Sequence, residues 1–144
     1  MSPSSEDPAI KILIVDDTIS NVRLLEHTLR RGGYTGVSST SDPREVASLH
    51  RDNAYDLILL DLQMPWMNGF DVMKQLREAG GKPRVAILII SADPAMMVAA
   101  LEAGADSFLS KPFLLSEVLA RVGALLEARA RSGNEKRTAS LAQR

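Results

Sequence analysis

The chain has 144 residues, the size of one domain, with 45% hydrophobic and 24% charged residues and a formal net charge of −1; these values exclude a largely disordered chain and give no global pull toward nucleic acid. The absence of cysteine excludes a disulfide framework, thiolate metal sites and a cysteine nucleophile. Apolar runs such as Val85 to Ile90 are far short of the ~20 residues of a membrane helix, and the polar start Met1-Ser-Pro-Ser-Ser-Glu-Asp-Pro8 is no signal peptide, so the chain reads as soluble and cytoplasmic, with no membrane partner.

In chain order, residues 1–9 read as a flexible lead-in to the first apolar run, Ile10–Val15. Runs apolar at successive positions, such as Ile12-Leu-Ile-Val15, point to strands buried on both faces, as in a parallel sheet. Ile19, Val22, Leu25 and Leu29 then recur at helical spacing and stop at Gly32-Gly33. A weak run, Gly36–Ser39, precedes Asp42-Pro43-Arg44-Glu45, a helix start with a capping Asp and Pro at the first helical position. The third run is Asp56–Leu60; Phe70, Met73 and Leu76 mark a third helix that ends at Gly80-Gly81. Val85–Ile90 is the fourth run, and Asp93-Pro94 opens a fourth helix carrying Met97, Ala100 and Leu101 up to Gly104. Ser107–Leu109 is the fifth run. The stripe Leu115, Val118, Leu119, Val122, Leu125 and Leu126 is the fifth helix, in which Gly123 suggests close packing. Helical periodicity lapses past Arg131 at Ser132-Gly133-Asn134. From Glu127 onward five basic residues stand against two acidic ones, so residues 129–144 read as a basic tail or linker. The six aromatics are not interleaved with basic residues in the way that stacks bases, which argues against nucleic acid as a partner.

The predicted order is (βα)5, a doubly wound α/β fold: a five-stranded parallel sheet with helices on both faces, spanning residues 10–128. In such a sheet ligands bind beyond the carboxyl ends of the strands. Asp16 and Asp17 follow the first run, Asp61 the third and Ser91 the fourth, and Lys111 comes two residues after the fifth. Three carboxylates, a hydroxyl and an ammonium therefore meet at one rim. Clustered carboxylates repel one another unless a cation is present, and hard oxygen ligands with room for water suit Mg2+. Lys111 and Ser91 suit phosphoryl oxygens. His27 and His50 fall in helices away from the rim and read as solvated, so no Ser–His pairing is present. Gly81-Lys82-Pro83 is no phosphate-binding loop, and there is no Gly-x-Gly-x-x-Gly. Met64 and Trp66 read as loop packing; Met96, Met97 and Val98 serve packing or an interaction face.

Four motifs in order then carry a resemblance: Val15-Asp16-Asp17, Leu60-Asp61-Leu62-Gln63-Met64-Pro65 with Gly69, Ser91-Ala92, and Lys111-Pro112-Phe113. Over residues 10–128 the chain resembles a response-regulator receiver domain of bacterial two-component signalling. The resemblance implies the strand order 2-1-3-4-5 and a phosphorylation-dependent switch, not an enzyme acting on a separate substrate. Asp61 is the implied phosphoacceptor. Asp17 and Asp61 would hold Mg2+ (or Mn2+) directly, Asp16 through water, and Gln63 through its main-chain carbonyl. Ser91 and Lys111 would contact the phosphoryl group, Phe108 sits at the family's switch-aromatic position, and Gln63 and Asp93 flank the hydrolytic water. Two departures stand out: Phe108 lacks the hydroxyl of the tyrosine common there, and position 91 is Ser rather than Thr. The implied partners are a histidine kinase or phosphotransfer protein. The implied output is a second copy or an effector on the face of the fourth helix, fifth strand and fifth helix. The length leaves no room for a folded output domain after Arg131, so the chain reads as a stand-alone receiver or one cut from a longer protein.

Two other classes compete. A flavodoxin-like flavin carrier would need a Ser/Thr/Gly phosphate cradle where Asp16-Asp17 would repel the phosphate. A haloacid-dehalogenase-type phosphatase would carry its nucleophilic Asp after the first strand, not the third.

Overall fold

Successive buried residues in each strand point to opposite sides of the sheet, and this alternation divides the core in two. Leu13, Val15, Ile58, Leu60, Ile87 and Ile89 pack with Val46, Val72, Met73, Leu76 and Ala100 on one side. Ile12, Ile14, Leu57, Leu59, Leu88 and Ile90 pack with Leu25, Leu29, Val118 and Val122 on the other. The structure, a computed structural model, describes the backbone of residues 9–81 and 84–142 and side chains as far as residue 132; apart from residue 9, the lead-in expected over 1–9 lies outside the described residues.

The strands are β1 (Lys11–Val15), β2 (Gly36–Thr40), β3 (Leu57–Asp61), β4 (Ala86–Ser91) and β5 (Ser107–Ser110). They form one parallel sheet in the order β2-β1-β3-β4-β5, as the resemblance implied. The helices are α1 (Ile19–Arg31), α2 (Val46–Asn53), α3 (Gly69–Ala79), α4 (Met97–Glu102) and α5 (Leu115–Ala142). With α2, α3 and α4 on one face and α1 and α5 on the other, the winding reverses between β1 and β3, which opens a crevice above their carboxyl ends.

Both expected Asp-Pro starts are used, but as single 3-10 turns: Asp42 and Asp93 accept the backbone N–H of Arg44 (2.9 Å) and Ala95 (3.0 Å) before α2 and α4 begin. Helix α5 continues past Arg131 to Ala142. Ala, Glu, Lys, Arg and Leu predominate there, and their helix propensity outweighs the single Gly133. A Cβ at Gly123 would meet nothing within 4 Å, so the close packing expected of it is absent. Among the described residues no helix is long and apolar enough to cross a membrane.

His50 departs from the solvated position expected of it. It is half-buried, its ring stacks on Tyr55 at 6.1 Å, and its Nδ1 accepts the Tyr55 N–H at 3.1 Å. The left-handed turn at Ala54 that ends α2 folds Tyr55 back onto it. Burial, then the charges of Arg129 and Arg77, hold the imidazole below its ordinary pKa. The folded protein therefore resists protonation that the unfolded chain accepts. The associated stability is complete above the unfolded value near 6.5 and is lost as pH falls toward the lower folded value. Relative to wild type, His50→Phe should be about 1 kcal/mol less stable at pH 8, from the lost acceptor. Denaturant titrations should show that gap narrowing by pH 5; a gap independent of pH would contradict this account.

Candidate functional site

The carboxyl ends of β1, β3 and β4 share one local device. At or just past each end stands a residue whose side-chain oxygen accepts the backbone N–H two positions on: Asp16 Oδ1 from Thr18 (2.9 Å), Asp61 Oδ1 from Gln63 (3.0 Å) and Ser91 Oγ from Asp93 (3.2 Å). Such turns use the short polar side chain to stop the strand and aim it across the sheet edge. Because β3 pairs in register with both neighbours, Val15 lies beside Leu60 and Asp61 beside Ile90. The three side chains are thereby brought to a common rim.

The sequence-predicted residues converge there. Asp16, Asp17 and Asp61 each offer a carboxylate oxygen, all within 4.8 Å of one another. Asp16, Asp61 and Ser91 are buried, whereas Asp17 is exposed. Lys111 follows β5, anchored by its N–H on the Ser91 carbonyl at 2.7 Å. Its Nζ lies 3.3 Å from Asp61 Oδ2 and 3.4 Å from Asp16 Oδ2. One ammonium thus faces three carboxylates. Burial raises the Asp61 pKa above its ordinary value, against the lowering effects of the Gln63 N–H and Lys111; the charge of Asp16 adds to the rise. A further cation would relieve this excess of negative charge. The donors are all hard oxygens, and the exposed Asp17 leaves room for water, which fits Mg2+ better than a soft metal.

Other predicted residues sit further out. Gln63 has an exposed side chain and contributes its N–H to Asp61. Asp93 is engaged as the cap before α4. Phe108, at the switch-aromatic position, pairs with Ile89 across β4–β5 and is only 7% exposed, so its side chain is already packed inward. Met64 is buried as predicted, but Trp66 is 69% exposed and does not pack in the loop. Met96 packs against the core, while Met97, Val98 and Leu101 remain exposed on α4.

Sequence reasoning missed Thr18 and Asn21, which bond the Asp16 carboxylate at 2.9 and 3.4 Å. The i to i+2 spacing from Asp16 to Thr18 could have indicated the first. It also did not assign Gly69, where a Cβ would lie 2.8 Å from Leu62 Cα and 2.9 Å from the Asp61 carbonyl oxygen. Only glycine lets the loop after β3 return so closely to the strand that carries Asp61.

Residues 12–123 match the family model described as "Response regulator receiver domain". Among curated proteins the chain is 38% identical over 117 residues to response regulator MprA of Mycolicibacterium vanbaalenii, covering 81% of this chain and 50% of that protein. It is 40% identical over 116 residues to the alkaline phosphatase synthesis transcriptional regulatory protein PhoP of Bacillus subtilis, covering 81% and 48%. The chain therefore spans about half the length of these relatives. Among solved structures it is similar to the chemotaxis protein CheY4 of Vibrio cholerae, with a TM-score of 0.75 at 30% identity over 82% of this chain and 99% of that one. The doubly wound sheet, the motifs at its rim and these matches together place the chain in the response regulator receiver domain family of two-component signalling.

Proposed function

We propose that the domain is a switch that takes a phosphoryl group onto Asp61 from a phosphohistidine of a kinase or phosphotransfer protein, with Mg2+ as cofactor. The observation that carries this reading is the position of Asp61: a buried carboxylate with two acidic neighbours within 4.8 Å and the Lys111 ammonium at 3.3 Å. In the transfer an Asp61 oxygen bonds to phosphorus, the phosphorus–nitrogen bond breaks, and the released imidazole nitrogen keeps that electron pair. The product is an acyl phosphate. Positioning and neutralisation of charge do most of the work in such a step.

Asp16, Asp17, Asp61 and the Gln63 carbonyl would hold the cation, which neutralises phosphoryl oxygens when bound. Lys111 would exchange its contact with Asp61 for a phosphoryl oxygen. The Ser91 hydroxyl accepts the Asp93 N–H, so its own proton is available to a phosphoryl oxygen. Gln63 and Asp93 border the path of the hydrolysing water and set the lifetime of the product. The reaction is the domain's own phosphorylation and dephosphorylation, in the cytoplasm, with no separate substrate turned over. Output passes through the face of α4, β5 and α5 to a second copy or an effector, with Met97, Val98 and Leu101 as its apolar contacts and Phe108 beneath it. Because Phe108 is already inward, phosphorylation would stabilise that packing rather than create it.

Incubation with acetyl phosphate and Mg2+ should add one phosphate to the wild-type protein by intact mass and none to Asp61→Asn, and a chelator should block the addition. Equal labelling of Asp61→Asn, or labelling undiminished by chelator, would contradict the proposal.

A further inference from the structure

We infer that Arg44 and Trp66 form a clasp that positions the Gln63 peptide against Asp61 and its cation; this rests on the cation reading above. Between Asp61 and α3 the chain turns back sharply. The Gly69 N–H bonds the Leu62 carbonyl at 3.0 Å, and the Met67 N–H bonds the Pro65 carbonyl at 2.8 Å. Trp66, at the centre of the second bond, has φ of 69°. An i to i+2 bond across a residue with positive φ is a γ-turn of the rare, strained kind. For a bulky side chain the left-handed region is unfavourable as well. Such strain persists only where neighbouring contacts maintain it.

The side chain of Trp66 finds little support in the core, being 69% exposed. What it meets is Arg44, whose guanidinium carbon lies 4.6 Å from the ring centroid. That guanidinium is held in place on the loop after β2. Its Nε and Nη2 bond the two Asp42 carboxylate oxygens at 2.9 and 3.0 Å, and Asp42 also accepts the Arg44 N–H. The result is an oriented cation over an aromatic face, joining the β2 loop to the β3 loop.

Only Met64 and Pro65 separate Trp66 from Gln63, whose N–H already holds Asp61 Oδ1 at 3.0 Å. Relaxing the turn would rotate the Gln63–Met64 peptide, and with it the carbonyl that would face the cation. Neither Arg44 nor Trp66 touches the reacting atoms; both are positioning residues. In Arg44→Ala the backbone N–H of residue 44 remains to bond Asp42, so the helix start is preserved while the clasp is lost.

The test is Mg2+ titration of the full chain by calorimetry, with melting temperatures for each variant. Arg44→Ala should bind Mg2+ about three- to tenfold more weakly. Trp66→Gly, in which nothing opposes the positive φ, should stay within about twofold of wild type and should make a further Arg44→Ala change silent. Trp66→Phe, which keeps an aromatic face, should stay within about twofold. Trp66→Gly relieves the positive φ and should melt no lower than wild type. Trp66 is the sole tryptophan; its emission change on Mg2+ addition should shrink by about half or more in Arg44→Ala. An Arg44→Ala affinity within about twofold of wild type, an equal loss when Arg44→Ala is added to Trp66→Gly, or losses that follow melting temperature, would overturn the clasp while leaving the cation reading intact. Absence of Mg2+ binding in wild type, or undiminished binding in Asp61→Asn, would overturn the cation reading and the clasp with it.

Discussion

Lys111→Met is expected to bind Mg2+ several-fold more tightly than wild type and yet form the acyl phosphate about 10- to 100-fold more slowly. The two effects have opposite signs because the ammonium plays opposite parts in the two states. Without the phosphoryl group, Nζ lies 3.3 and 3.4 Å from Asp61 and Asp16 and competes with a cation for the same carboxylates, so its removal favours the cation. In the transfer, the same ammonium meets phosphoryl oxygens in a partly buried site. A hydrogen bond to a charged group there contributes roughly 1.5–3 kcal/mol, which sets the size of the rate loss. Methionine keeps an unbranched stem of similar length, so packing around β5 changes little. Calorimetry with Mg2+ and initial rates with acetyl phosphate separate the two effects. A weaker cation affinity, or a rate within about twofold of wild type, would contradict this role for Lys111.

The largest expected loss of stability lies at the opposite end of the sheet, far from any chemistry. Arg77→Met should lower unfolding stability by about 3 kcal/mol or more, and the melting temperature by roughly 10 °C. Arg77 leaves α3 to bond the Gly104 carbonyl with Nη2 (2.6 Å) and Nε (3.1 Å), the Val85 carbonyl with Nη1 (2.7 Å) and Asp106 Oδ2 at 3.0 Å. The same Asp106 oxygen accepts the Ile87 N–H at 2.9 Å. One side chain thus joins α3 to the start of β4 and the approach to β5. Methionine would fill much of the volume but leave two carbonyls and part of a largely buried carboxylate without their donors. The final level of labelling by acetyl phosphate should stay at the wild-type value below the variant's melting transition. A stability loss under about 1 kcal/mol by denaturant titration would contradict this role for Arg77 and leave Asp106 held by Arg84 and the Ile87 N–H.

These two residues also mark how far the sequence could be read. Lys111 was accessible because it follows a strand, and strand ends in a doubly wound sheet face the ligand side. The same rule found Asp16, Asp17, Asp61 and Ser91, all from short apolar runs whose burial on both faces leaves little choice of register or side. Arg77 was not accessible. Its partners at 85, 104 and 106 are fixed by tertiary packing, and an arginine within an amphipathic helix reads as a solvated residue. The Arg44–Trp66 contact was hidden for the same reason: it crosses two loops, and an exposed tryptophan has no periodic signal. His50 lies on a helix whose polar face reads as free in the sequence, and only the turn at Ala54 brings Tyr55 over it. The fold was therefore readable where hydrophobic pattern and strand order govern position, and unreadable where a single long side chain bridges elements.

The most direct measurement is chemical location of the phosphoryl group. After incubation with acetyl phosphate and Mg2+, borohydride reduces an aspartyl phosphate to homoserine, which peptide sequencing by mass spectrometry can place. Homoserine at position 61, dependent on Mg2+ and absent from Asp61→Asn, is the predicted result. Homoserine at position 16 or 17, or phosphate retained as an ester on a hydroxyl side chain, would contradict it.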